Sequence, residues 1–246
     1  MKIKGIIFDI NGTLINIHTD ESMDEIYRAV SHLLTYHGIY LHRGEVRDQY
    51  YRIMEEQIKA SKEEYPEFDA VALWREFLSR NLDPVRMPSL EVPEAMSRFL
   101  AGMYRGISRL RLELYPDVKS ILDELKLRFP LAVVSDGQSI WALPEMRAVG
   151  IDGYFDPIII SGDYGFRKPD PRLFQAALDG IGVKPEDVLF VGNDMYRDVF
   201  GAGKMGMKTV FFLSNQGRQH MRGVEPDYII YSFSELKKVI EFFEAR

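Results

Sequence analysis

One short strand with no neighbour in sequence constrains this chain most. Residues 3–10, Ile-Lys-Gly-Ile-Ile-Phe-Asp-Ile, form an apolar run that ends at Asn11-Gly12-Thr13, the pattern of a buried strand entering a Gly-containing turn. A strand cannot bury itself alone, yet the next stretch of this texture is Leu131-Ala132-Val133-Val134. From about Tyr115 such runs alternate with helical periodicity. Helices are read over 117–129, 139–149, 171–181 and 196–205, strands over 131–134, 157–160, 188–191, 209–212 and 228–230, and a terminal helix from Ser234. Apolar runs without internal polar alternation, separated by helices, indicate a parallel sheet covered on both faces. The first strand therefore joins that sheet, and what lies between is an insertion.

The insertion has a helical texture. Met23, Ile26, Val30, Leu33 and Leu34 make one apolar stripe, and Phe77, Phe99, Leu100 and Met103 belong to later ones. No strand is read before about residue 131, and Pro84, Pro88 and Pro93 mark a loop between two of the helices. The fold class is thus α/β, a doubly wound parallel sheet built from residues 1–16 and 113–246, with an all-helical insertion over 17–112. Its connections near residues 16 and 112 form a hinge.

Composition narrows the function. The chain has no cysteine, which removes thiol mechanisms and disulfide frameworks. Its apolar runs are far shorter than the roughly 20 residues of a membrane span. At the N-terminus Asp9 arrives before a signal-like apolar region forms. A soluble, cytoplasmic protein is expected. A net charge of -6 with dispersed Lys and Arg argues against nucleic acid or an anionic membrane as partner. Carboxylates, amides, hydroxyls and lysines are left to carry the chemistry.

In open parallel sheets ligands bind beyond the carboxyl ends of the strands. Those loops carry Asp9 with Asn11-Gly12-Thr13, Ser135-Asp136-Gly137, Arg167-Lys168-Pro169-Asp170, and Gly192-Asn193-Asp194 followed by Asp198. Taken singly each has a plain explanation: a turn residue, a helix cap, a solvated lysine, an acidic pair at a helix start. Together, Asp9, Asn193, Asp194 and Asp198 offer the hard oxygen donors that suit Mg²⁺. Ser135, Lys168 and the backbone around Gly12 and Thr13 offer donors and positive charge to a phosphoryl group. A carboxylate nucleophile beside a divalent cation and a lysine is a constellation for phosphoryl transfer.

These residues resemble the haloacid dehalogenase-like (HAD) superfamily. Ile6-Ile7-Phe8-Asp9-Ile10-Asn11-Gly12-Thr13-Leu14 is similar to its first motif, Ser135 to its second, Lys168 in Arg-Lys-Pro-Asp-Pro to its third, and Val191-Gly192-Asn193-Asp194 through Asp198 to its fourth. The motifs occur in order over nearly the whole chain, and the insertion matches the subfamily with a helical cap between the first two. The resemblance implies a Rossmann-like core, Asp9 as nucleophile, Thr13 supporting its loop, Ser135 and Lys168 holding phosphate, and Mg²⁺ as cofactor. It implies a small phosphorylated metabolite as substrate, handled by a monomer or small homo-oligomer.

Two positions depart from the family pattern. Most of its phosphatases carry an aspartate two residues after the nucleophile, as acid and base; here that residue is Asn11. An amide cannot exchange a proton at neutral pH, and general acid–base catalysis contributes roughly 10² to 10⁴ in rate. The resemblance still implies the backbone carbonyl of Asn11 as a metal contact. Asn11 is read as a natural variant with weak or leaving-group-selective phosphatase activity. The alternatives are a 2-haloacid dehalogenase, a phospho-ligand-binding protein without turnover, deamidation before Gly12, or an engineered substitution. In the fourth motif the first acid falls on Asn193 or Asp194 according to the direction of counting, and Asp194 is preferred because a carboxylate compensates more charge. Asp136 would repel phosphate unless it points away, so it is expected to cap the following helix.

Three patterns are set aside. Gly201-Ala202-Gly203-Lys204-Met205-Gly206 has dinucleotide-binding spacing but does not follow a strand, so close helix packing explains it better. Asn11-Gly12-Thr13 is a glycosylation pattern only formally. The five histidines lack ligand spacing, and only His18, just past the catalytic turn, is placed to face the cleft. Tyr27, Tyr36, Tyr50, Tyr51 and Trp74 divide between core and substrate contact.

Overall fold

The computed structural model describes residues 2–81 and 94–245; the loop read at Pro84, Pro88 and Pro93 lies outside them. In chain order the elements are β1 (Gly5–Phe8), β2 (Ile15–Thr19), α1 (Asp24–Tyr36), α2 (Arg43–Ala60), α3 (Ala70–Asn81), α4 (Glu94–Ser108), β3 (Arg109–Leu114), α5 (Val118–Lys126), β4 (Leu131–Ser135) and α6 (Ser139–Ala148). They continue with β5 (Ile158–Ile160), α7 (Pro171–Ile181), β6 (Val188–Gly192), α8 (Gly201–Lys204), β7 (Lys208–Phe212), β8 (Tyr228–Ile230) and α9 (Leu236–Glu244). Six strands form one parallel sheet in the order β5-β4-β1-β6-β7-β8. The orphan strand is its centre.

Alternate residues of the strands serve opposite faces. Ile6, Phe8, Val133, Leu189 and Val191 pack with Ile121 and Leu122 of α5 and Val239 and Ile240 of α9. Ile7, Ala132, Val134 and Phe190 pack with Leu173, Phe174 and Ala177 of α7. Both faces are dry, which is why the strands read as continuous apolar runs. Helices α1–α4 surround a separate cluster in which the rings of Tyr50 and Tyr104 stack at 4.6 Å and Trp74 and Phe77 are fully buried. Trp141 of α6 joins that cluster and donates its indole N–H to the Ala101 carbonyl at 2.9 Å.

The insertion is not helical to its ends. β2 and β3 pair antiparallel, from Ile15 opposite Leu114 to Thr19 opposite Arg109, so a two-stranded ribbon straddles the junctions read near residues 16 and 112. Arg109-Leu-Arg-Leu-Glu-Leu alternates apolar and polar residues because this ribbon is half exposed, a period-two signal unlike the dry runs of the main sheet. The helix read over 196–205 is also divided: residues Met195–Phe200 form a wider turn in which the Val199 N–H reaches the Asp194 carbonyl at 3.1 Å, and only Gly201–Lys204 is α-helical. Among the described residues no helix is long and apolar enough to cross a membrane.

The glycine pattern at 201–206 has a packing explanation. A Cβ on Gly201 would lie 2.6 Å from the Phe174 ring and 3.2 Å from Pro169, whereas nothing lies within 4 Å of one on Gly203. Gly201→Ala is expected to lower stability by about 1–3 kcal/mol, the usual cost of overpacking. Gly203→Ala should stay within about 0.5 kcal/mol of the parent. Urea unfolding of the two variants checks this, and equal stabilities would contradict it.

Candidate active site

β1 lies between β4 and β6, so the loops leaving these strands open at one rim, where the direction of winding reverses. Lys168 is the centre of what gathers there. Its ammonium is 3% exposed, donates to Asp9 Oδ1 at 2.7 Å and to Asp198 Oδ1 at 2.6 Å, and so joins two strands through charge. Burial alone would lower its pKa, but Asp198, Asp9 and Asp136 prevail and hold the ammonium above its usual range. In Asp198 burial pushes the carboxyl up, Lys168 pulls it down and Asp9 pushes it up again, with a net upward direction. Its second oxygen accepts the N–H groups of Asn193 at 3.0 Å and Asp194 at 2.9 Å. Only glycine at 192 allows this approach, since a Cβ there would sit 2.5 Å from the Asp198 carboxylate.

Asp9 is held from the other side as well. Thr13, fully buried, places its hydroxyl 3.0 Å from Asp9 Oδ2 and 3.2 Å from Asn193 Oδ1, and the Ser135 hydroxyl donates to Asp9 Oδ1 at 3.3 Å. Gly12 has φ +84°, and a Cβ on it would fall 2.2 Å from Asn193 Nδ2. Gly217, at φ +80°, would press on the Asn193 carbonyl at 2.4 Å. The Asn193 amide is therefore clamped between two loops with its oxygen beside the Asp9 carboxylate.

Asp9, Asn11, Ser135, Asp136, Lys168, Asn193 and Asp198 line a single cavity of about 180 Å³. Three sequence expectations change in detail. Asp194, preferred as an oxygen donor to a metal, is turned away: Oδ1 accepts the N–H groups of Tyr196 at 2.9 Å and Arg197 at 2.8 Å, while Oδ2 takes the Arg197 guanidinium at 2.9 Å and the Arg218 N–H at 3.0 Å. Burial would raise its pKa, but these donors hold it below the usual carboxylate range. Its role here is to cap the wide turn that carries Asp198. Asp136 does not cap α6; its Oδ1 accepts the Lys168 N–H at 2.9 Å and thereby fixes the lysine loop. Its Oδ2 lies 3.5 Å from Arg197 and 3.8 Å from Arg167, which offset the repulsion of phosphate feared from sequence. The N–H groups of Gly12 and Thr13 close the turn itself, on Ile15 O at 2.8 Å and Ile10 O at 3.2 Å, and so are not free for a ligand.

Arg167, Arg197 and Gln216 also line the cavity and were not singled out from sequence. The first two were legible as neighbours of Lys168 and Asp198. Gln216 was not, because an uncharged amide in a long loop after β7 carries no signal of its own. With them, Asp9, Asp136 and Asp198 face Lys168, Arg167 and Arg197, three formal charges of each sign. His18 is exposed on β2 and lines a separate surface recess. Among the described residues no three His, Asp or Glu side chains form a metal cluster. The oxygen donors beside Asp9 are those of neutral Asn193 and Asn11, a set that fits Mg²⁺ only in its minimal form of one carboxylate completed by substrate phosphate and water.

A family model for haloacid dehalogenase-like hydrolases matches residues 3–206. The chain belongs to that family. Within it, this HAD-like hydrolase is 28% identical over 248 residues to the glyceraldehyde 3-phosphate phosphatase of Pyrococcus furiosus, covering 99% of this chain and 94% of the relative. It is 32% identical over 148 residues to the phosphoserine phosphatase of Thermus thermophilus, 59% of each. The solved 2-haloacid dehalogenase from Pseudomonas syringae pv. Tomato DC3000 superposes with a TM-score of 0.67 at 21% identity, over 98% of this chain and 99% of that one, which shows the shared fold.

Removing the central cation strands two buried carboxylates. Lys168→Met is expected to lower the unfolding free energy of this HAD-like hydrolase by about 3–5 kcal/mol, and adding Asp198→Asn to restore part of it. Urea unfolding at pH 7 measures both; a Lys168→Met variant as stable as the parent would refute the pairing.

Proposed function

We propose that this hydrolase is a phosphatase that cleaves a small phosphomonoester through an aspartyl-phosphate on Asp9. The observation that carries the reading is the Asp9 carboxylate fixed at once by Lys168, Ser135 and Thr13, with Arg167 and Arg197 on the same cavity. Asp9 is oriented for in-line attack on phosphorus, and Lys168, with the two arginines, neutralises the equatorial phosphoryl oxygens. The Ser135 hydroxyl orients them. Asp9, the Asn11 carbonyl and Asn193 would hold Mg²⁺, which supplies further positive charge at the phosphoryl oxygens. With one carboxylate in that set, these residues would hold Mg²⁺ only weakly in the absence of phosphate. The insertion, residues 17–112, serves as a cap that excludes bulk water. The protein works in the cytoplasm on a small phosphorylated metabolite, as a monomer or small homo-oligomer.

A second reading, 2-haloacid dehalogenase, is favoured by one observation: Asp194 is committed to its turn, so the fourth loop brings the amide of Asn193 rather than that carboxylate to Asp9. The phosphatase reading has the stronger support, because Lys168 and the two arginines can each donate to a phosphoryl oxygen while held by carboxylates that already orient them, and the chain is related over nearly its full length to a named phosphatase.

Mass spectrometry of enzyme quenched during turnover of 4-nitrophenyl phosphate with Mg²⁺ should find an 80-Da adduct on Asp9 — the mass of a phosphoryl group replacing a proton, about 80 Da — and Asp9→Ala should abolish hydrolysis. Turnover surviving in that variant would sink the proposal, and chloride release from 2-chloropropionate without Mg²⁺ would favour the dehalogenase. Asn193→Asp adds a carboxylate to the metal set and should tighten Mg²⁺ binding about tenfold, a change near 1.4 kcal/mol, in calorimetry without substrate. Unchanged affinity would remove Asn193 from the metal site.

A further inference from the structure

Asn11 leaves hydrolysis of an alkyl phosphate without a proton donor at the position that follows the nucleophile. A second cavity, of about 270 Å³, opens beside the first, and the two share Asn11, Asp136 and Arg167. It adjoins the cavity that holds Asp9 through these three residues, and four acids line it: Glu21, Glu67, Asp136 and Glu145. Glu145 is paired with Arg105 at 2.7 Å and Arg109 at 3.4 Å. Asp136 is fixed by the Lys168 N–H and flanked by Arg167 and Arg197. Glu21 is exposed.

Glu67 is buried and held less tightly: Arg167 is 3.5 Å from Oε2, and the Phe68 N–H donates to Oε1 at 3.2 Å. It sits on the loop between α2 and α3, with its carboxylate 3% exposed, and that loop is tied to the segment that follows β5. The Glu67 N–H donates to the Gly165 carbonyl at 3.0 Å, the Arg167 N–H to the Tyr65 carbonyl at 2.8 Å, and the Ser161 hydroxyl to Glu67 Oε2 at 2.8 Å. We propose that Glu67 is the catalytic acid and base of this enzyme, delivered by the insertion to the leaving-group oxygen in place of the proton donor that Asn11 cannot be. The proposal rests on the phosphatase reading.

The surroundings favour the task. Burial pushes the Glu67 carboxyl up, Arg167 at 3.5 Å and the Ser161 hydroxyl pull it down, and Asp136 pushes it up again; the net direction is upward. It therefore keeps its proton to higher pH than an exposed glutamate, while Asp9 beside Lys168 serves as the nucleophile. In the first step an Asp9 oxygen forms a bond to phosphorus, the P–O bond to the leaving group breaks with its electron pair on that oxygen, and the Glu67 proton moves there to give the alcohol. In the second, the Glu67 carboxylate takes a proton from water as the water oxygen bonds to phosphorus and the P–O bond to Asp9 breaks. Asp9 is released as carboxylate, phosphate leaves, and Glu67 is again protonated.

The test is the rate of phosphoenzyme formation in single turnovers of an alkyl ester, glycerol 1-phosphate, and an aryl ester, 4-nitrophenyl phosphate, whose leaving group needs no proton. In Glu67→Gln, which keeps a hydrogen-bonding side chain for Ser161, the alkyl rate should fall about 100-fold and the aryl rate by no more than about threefold. The fall of the alkyl rate with rising pH through the Glu67 pKa should vanish with it. Asn11→Asp in the Glu67→Gln background should restore alkyl turnover, a rescue that a purely structural role for Glu67 would not permit. Equal losses for the two esters, no loss for the alkyl ester, or a parent that uses only the aryl ester would overturn the role of Glu67 while leaving the Asp9 chemistry intact. Absence of a phosphoenzyme from the parent with both esters would overturn the phosphatase reading itself.

Discussion

The Lys168 ammonium, 2.7 Å from Asp9 and 2.6 Å from Asp198, is the interaction on which the rest of the site depends. Without it two buried carboxylates would stand unpaired, and an unpaired ammonium there would be as costly. Its placement explains much of the surrounding structure. Asp136 holds the lysine's own N–H, Asp194 holds the turn that carries Asp198, and Gly192 and Gly201 admit the Asp198 side chain and the Pro169 ring respectively. A salt bridge in a dry interior is weak evidence for stability, but here it draws three loops from different strands to one point, and that is its use.

The charges around it are balanced rather than positive. Three carboxylates meet three cations on the cavity wall, so the resting site gains little from an anion's charge alone. In the proposed reaction, phosphate oxygens would share Lys168 and the arginines with carboxylates that already orient them. The amide at Asn193 removes one negative charge from this set, and the amide at Asn11 removes another. Both substitutions make the rim less hungry for a metal and more dependent on side-chain cations than a rim of acids would be.

The sheet was legible because its strands are buried on both faces, which leaves an uninterrupted apolar run as their signature. The ribbon of β2 and β3 was missed because Arg109-Leu-Arg-Leu-Glu-Leu is half exposed and lies beside helical texture. At the site, Asp9, Ser135, Lys168 and Asn193 were found because polar residues at strand ends converge by topology alone. The orientation of Asp194 was not, since a carboxylate at a turn serves equally as cap and as ligand, and only the N–H groups of Tyr196, Arg197 and Arg218 decide between them. Glu67 was invisible for a related reason. Nothing in Tyr65-Pro66-Glu67 marks it as lining a cavity beside loops far away in sequence.

Trp141 belongs by sequence to α6 and by packing to the insertion, where its ring stacks with Tyr104 at 6.2 Å and carries the Arg105 guanidinium 5.3 Å from its centre. The insertion's apolar cluster is completed by this side chain from outside it. Transplanting residues 17–112 to another sheet would leave the Tyr104 face without its covering indole, and the parent sheet with an exposed tryptophan. The packing unit is the insertion together with α6, so the insertion's core is complete only with the helix that follows Ser135.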